Sequence, residues 1–118
     1  QVLMQNFNQA RQEQWQLVLP AVAQEVVTPL SEVLYLEAGQ EQCIFHLRKG
    51  SPITAERPFR YYLDLLGNMP FFQINNTQMV HLKAVLQLSA DKLQVVLPNN
   101  IRLDMTERRR KEFLSKWK

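Results

Sequence analysis

From Trp15 onward the sequence is a succession of short runs rich in Val, Leu, Ile, Tyr and Phe, most of them broken by turn residues such as Gly, Pro, Asn, Asp or Ser. That texture is the signature of many short strands. The runs predict strands over residues 15–19, 25–28, 33–37, 43–48 and 53–55, then over 71–74, 78–80, 85–88, 93–96 and 101–105, with turns at 90–92 and 98–100. A chain of 118 residues suits one domain, burying roughly two thirds of the surface its unfolded form exposes. The 46% hydrophobic content is too high for a disordered chain. No run approaches the ~20 apolar residues of a membrane-spanning helix, so no membrane partner is expected.

Two strands carry apolar side chains on both alternating sets. Leu34 and Leu36 oppose Val33 and Tyr35, while Cys43, Phe45 and Leu47 oppose Ile44. Such strands are covered on both faces, so each side of their sheet needs a packed partner. Pro58 can open a helix, and Phe59, Tyr62, Leu63 and Leu66 then recur at helical spacing until Gly67. A second helix is expected near 106–117, with Thr106 as N-cap and Phe113, Leu114 and Trp117 on its buried side. Residues 1–14 place Leu3, Phe7 and Ala10 among many glutamines, which predicts a weakly amphipathic, linker-like helix. The fold class is therefore mainly β with short flanking helices.

The net charge of +3 is unevenly spread. Residues 1–101 hold 7 basic and 8 acidic side chains, whereas residues 102–118 hold Arg102, Arg108, Arg109, Arg110, Lys111, Lys116 and Lys118 against Asp104, Glu107 and Glu112. Clustered cations are an electrostatic footprint for a polyanion, although a short basic run also serves as a solvated helix face. The single cysteine, Cys43, reads as a small buried hydrophobe and excludes an intramolecular disulfide. With only His46 and His81 beside it, neither a metal site nor a cofactor is expected. His46 reads as a surface or hydrogen-bonded residue, and His81 as hydrogen-bonded within its sheet. Neither has an identified nucleophile or orienting carboxylate, and there is no P-loop or dinucleotide fingerprint, so an enzyme is not expected. The cysteine usage fits a reducing, cytoplasmic setting, and the start at Gln1 without a signal peptide suggests a piece of a longer protein.

Three local motifs add a family resemblance. They are Glu32-Val-Leu-Tyr-Leu-Glu-Ala38, Phe72-Gln-Ile-Asn-Asn-Thr-Gln-Met-Val-His-Leu82 and Met105-Thr-Glu-Arg-Arg-Arg-Lys-Glu-Phe-Leu114. In that order and at those separations they resemble the "I-x-Y-I-E-A", "F-x-R-I-H-R-S-Y-L-V-N" and "V-S-R-x-x-R-K-x-L" segments of the LytTR DNA-binding domain, the output module of a class of bacterial response regulators. The resemblance spans roughly residues 15–117. It implies an elongated sandwich of small antiparallel sheets that reads double-stranded DNA with loops entering successive major grooves. It also implies a homodimer or paired binding on repeated sites, and an N-terminal receiver domain ahead of residues 1–14.

Carried over residue by residue, the resemblance points to Gln40 and Glu41 in the first loop, to Asn75, Asn76 and Thr77 in the second, and to Arg108 to Lys111 in the third. Asparagine can pair with adenine and arginine with guanine, each worth about 1 to 3 kcal/mol of discrimination. Asn75, Asn76, Arg108, Gln40 and Glu41 are thus the base-reading candidates, and Thr77, Arg109, Arg110 and Lys111 the phosphate candidates. Asn75 and Asn76 equally suit a turn. Glu41 stands where the family has Asn or His, and Glu107 where it has Arg; a carboxylate accepts only from a cytosine amino group and otherwise repels phosphate. Arginines in a first helical turn oppose the helix dipole, a mismatch that a bound phosphate relieves. The alternative is a LytTR-like scaffold whose lost or altered readout now serves protein contact or autoinhibition.

Overall fold

The computed structural model describes residues 3–6 and 15–117. Strands β1 (Leu3–Asn6), β2 (Trp15–Pro20) and β3 (Glu25–Pro29) form a first antiparallel sheet in the order β1-β2-β3. The central sheet takes β4 (Val33–Ala38), β5 (Cys43–Leu47), β6 (Ile53–Ala55), β7 (Phe71–Asn75) and β8 (Gln78–His81) in the order β6-β5-β4-β8-β7. A third sheet joins β9 (Gln87–Leu88), β10 (Gln94–Leu97) and β11 (Ile101–Asp104). Helix α1 (Phe59–Leu65) lies between β6 and β7, and α2 (Glu107–Trp117) follows β11.

The two-sided apolar pattern of β4 and β5 sets the layering. One core gathers Leu17 and Leu19 of the first sheet, Leu36 and Phe45 of the central sheet, and Tyr62 and Leu66 from the α1 segment. The other gathers Leu34 and Ile74 with Val95 and Leu97 of the third sheet and Phe113 of α2. A register shift between Val33 and Tyr35 breaks strict alternation, so Leu34 joins one core and Leu36 the other. Phe45 meets Tyr62 edge-to-face at 4.8 Å, a pair worth roughly 0.5 to 1.5 kcal/mol beyond its burial. Cys43 is fully buried, and burial pushes its thiol up to about 12, which makes it the inert hydrophobe expected.

Helix α1 follows Pro58 and buries Phe59 and Tyr62, with Leu66 just beyond its end. Gly67 follows its end at a close approach, where a Cβ would lie 3.1 Å from the Leu63 carbonyl oxygen. In α2, Phe113 is fully buried, 5.5 Å from Phe72 and 5.7 Å from Trp117.

Besides the separation of Leu34 from Leu36, which the alternation places on one face, two expectations change. The helix predicted over residues 1–14 is a strand where it is described: Leu3–Asn6 pairs antiparallel with β2, Leu3 opposite Val18 and Asn6 opposite Trp15. The open edge of β2 offers those residues backbone partners, which outweighs a weak helical periodicity. Phe7 and Ala10 lie outside the described residues. The strand predicted over 85–88 is confined to β9, because a tight turn at Leu82–Ala84 carries buried Ala84 and Val85 into the second core and leaves Leu86 63% exposed.

Candidate nucleic-acid interface

Strands β4, β8 and β7 lie side by side, so the loop after β4 and the turn joining β7 to β8 emerge at the same end of the central sheet. The Ala38 N–H donates to the Thr77 carbonyl at 2.8 Å and fastens loop to turn. The Thr106 N–H donates to the Ile74 carbonyl at 2.9 Å, and the Asn75 Nδ2 donates to the Asp104 carbonyl at 2.7 Å, so the entry to α2 is fastened to the same turn. Residues 39–42, 75–77 and 104–108, far apart in the chain, therefore form one continuous edge.

Within that edge the candidates have different degrees of freedom. In the first loop the Gly39 N–H closes on the Gln42 carbonyl at 2.9 Å, and Glu41 takes a left-handed backbone at φ 59°. Gln40 and Glu41 are exposed, and Gln42 is held by the Glu56 carboxylate at 2.9 Å. The half-buried Asn75 spends its whole amide on partners within the chain. Its Nδ2 donates to Gln78 Oε1 (2.9 Å) as well as to Asp104, and its Oδ1 accepts from the Thr77 N–H (2.9 Å) and hydroxyl (3.2 Å). Asn76 stands exposed beside it with no polar partner among the described residues. The turn reading of the Asn pair is met by this side-chain capping, and neither residue has the left-handed backbone that Asn99 and Asn100 adopt.

Thr77 is similarly committed. Both its donors go to Asn75 and its carbonyl is taken by Ala38, so its hydroxyl turns lone pairs outward. A phosphate offers only acceptors, whereas an amino group on a base edge would fit.

The basic run divides by helical face. Arg109 shares the face of Phe113 and is drawn across β7, where its Nη1 lies 3.4 Å from the Gln73 carbonyl while its buried Nε has no partner. Arg110 reaches the Asp91 carbonyl at 3.3 Å and Glu107 at 3.7 Å. Arg108 and Lys111, three residues apart, point to solvent with no partner among the described residues. The first turn of α2 closes with the Arg109 N–H on the Thr106 carbonyl at 2.9 Å.

One feature that sequence reasoning missed runs back from this edge. Gln78 Nε2 faces Glu37 Oε2 at 3.4 Å, and Glu37 Oε1 faces His46 Nε2 at 3.0 Å, with His46 stacked on Tyr35 at 4.2 Å. The signal was present in the pattern: Tyr35, Glu37, His46 and Gln78 fall on one face of paired strands once the register is known. Burial, then the nearby Glu37, raises the Tyr35 hydroxyl above its usual range. His81 lies on the other face, 4% exposed, stacked on Phe71 with its Nδ1 3.1 Å from the Val33 carbonyl. The two histidines do not converge. A separate apolar recess lined by Leu88, Ser89, Lys92, Leu114, Ser115 and Trp117 shares no residue with the edge.

Comparison with known proteins bears on the fold and the family. Curated proteins give no match. A solved structure described as the LytTr DNA-binding domain of a methyl-accepting/DNA response regulator from Bacillus cereus is similar with a TM-score of 0.71 at 16% identity, covering 86% of this chain and 94% of that one. That likeness establishes the fold. The family model for the LytTr DNA-binding domain matches residues 23–118, which takes in all three segments of the edge, and the chain therefore belongs to the LytTR DNA-binding domain family.

Proposed function

We propose that this chain binds double-stranded DNA in a sequence-specific manner as the output domain of a bacterial transcriptional regulator, and that it is not an enzyme. The observation that carries this reading is the single edge into which residues 39–42, 75–77 and 104–108 are tied, with Gln40, Glu41, Asn76 and Arg108 exposed along it and Lys111 exposed farther along α2. Asn76 and Arg108 suit adenine and guanine, Glu41 suits a cytosine amino group, and Lys111 suits phosphate. Arg109 and Arg110 contribute positive potential beside the groove while their guanidinium groups stay on protein carbonyls. In this reading the full-length protein is cytoplasmic, carries a receiver domain ahead of the segment containing β1, and binds repeated sites as a homodimer or in paired copies. No helix among the described residues is long and apolar enough to cross a membrane.

Selection of bound duplexes from a randomised pool tests the proposal. It expects an enriched motif, and an affinity that falls linearly on a log–log plot against salt because counterions are released from each phosphate contacted. A pool that yields no motif would overturn it. A second reading, in which this edge contacts a protein, draws support from the exposed Glu41 and Glu107 on the same surface. It expects that Glu107→Arg creates DNA affinity where the parent chain has none.

A further inference from the structure

Asn75 sits between two elements proposed to read DNA, but its side chain has no valence left for a base. Both its amide hydrogens are donated, one to Gln78 Oε1 and one to the Asp104 carbonyl, and its oxygen takes both donors of Thr77. The orientation of this amide is dictated by groups that have no alternative. A backbone carbonyl can only accept and a backbone N–H can only donate, so Nδ2 must face Asp104 and Oδ1 must face Thr77. Gln78 is fixed in turn, its oxygen toward Asn75 and its nitrogen toward the Glu37 carboxylate.

On the reading that this edge binds DNA, we infer that Asn75 is a positioning residue: it clamps the Asn76–Thr77 turn to the entry of α2, and so holds Asn76 and Arg108 at a fixed separation for simultaneous base contact. The turn half of the clamp is the pair of bonds to Thr77, and the helix half is the bond to Asp104, three residues before α2 begins. Two rigid readers joined this way pay the ordering cost once in folding instead of at each encounter with DNA. The main-chain bond from Thr106 to Ile74 is independent of the side chain and is expected to hold α2 near β7 when Asn75 is replaced, while the Asp104 end of the helix entry loses its tie to the turn.

The test uses the 118-residue chain, a duplex enriched from a randomised pool, and single-base-pair variants of that duplex. Asn76→Ala and Arg108→Ala first identify the base pair that each side chain reads. Asn75→Ala is then expected to lower discrimination at both of those base pairs, by about 5- to 100-fold each if the full bidentate preference is lost, while adding no third sensitive position. Asn75→Ser retains an oxygen for the Thr77 N–H but is too short to span to Asp104. It is expected to keep discrimination at the Asn76 pair within about twofold and lose it at the Arg108 pair. Melting curves recorded on the same samples confirm that each variant is folded at the assay temperature, and the serine variant answers the question if the alanine variant is not. Loss of discrimination at one base pair that neither Asn76 nor Arg108 reads would make Asn75 a base reader, and unchanged discrimination at every position would make it a turn residue only. Either result overturns the clamp while leaving DNA binding intact. A pool that yields no motif with the parent chain overturns both.

Discussion

Thr77 and Arg109 illustrate how the same residue type takes a different role once its neighbours are known. A threonine in a turn and an arginine at a helix start both suggest phosphate contacts, but the Thr77 hydroxyl is turned inward to Asn75 and the Arg109 guanidinium is laid over β7. Thr77→Val removes an outward acceptor. It is therefore expected to relax preference at the base pair that Asn76 reads by about 1 kcal/mol, the scale of one neutral hydrogen bond, instead of weakening binding to all sequences alike. Competition binding with single-base variants separates these outcomes. Arg108→Ala and Arg109→Ala should also diverge. The first is expected to weaken DNA binding with the melting temperature unchanged, and the second to lower stability by about 1 kcal/mol through lost packing and a lost carbonyl contact. Calorimetry beside a binding isotherm reads both.

At the scale of elements, much of the architecture is legible in the residue pattern because it depends on local alternation. The two-sided apolar sets of β4 and β5 anticipate a sheet covered on both faces, and the Phe59, Tyr62, Leu66 spacing anticipates α1 and its buried stripe. What was not legible depends on contacts distant in sequence. The capping of the β7–β8 turn is joined to Asp104, 29 residues away, and Arg109 is turned toward Gln73, 36 residues away. No local periodicity reports such pairs. Strand β1 is a similar case, since its conformation is decided by the free edge of β2 and the glutamine-rich segment around it carries no strong pattern of its own. Helix α2 depends on Phe113, which packs on Phe72 and Trp117. Phe113→Ala is expected to cost about 3 to 5 kcal/mol, read from chemical denaturation, and to reduce DNA binding because the entry of α2 loses its support.

For the whole molecule, the central sheet sets a pH limit. His81 is buried against Phe71 and the Val33 carbonyl, and desolvation, aided by the charges of Arg48 and Lys83, holds its imidazolium below the usual histidine range despite the favourable backbone bond. The unfolded chain thus binds a proton more readily than the folded one. Its contribution to stability is complete above pH about 6.5 and declines as the pH falls toward the lower folded value. Urea midpoints at pH 7 and pH 5 are expected to differ more for the parent chain than for His81→Gln, and equal differences would remove His81 as the cause.

Amide chemical-shift mapping of the chain during titration with a selected duplex addresses the interface as a unit. Shifts concentrated in residues 39–42, 75–78 and 104–111 are the expected result, with the recess around Leu88, Leu114 and Trp117 unaffected. Shifts confined to that recess or to the β1-β2-β3 sheet would contradict the proposal that the three tied segments form the DNA-reading edge.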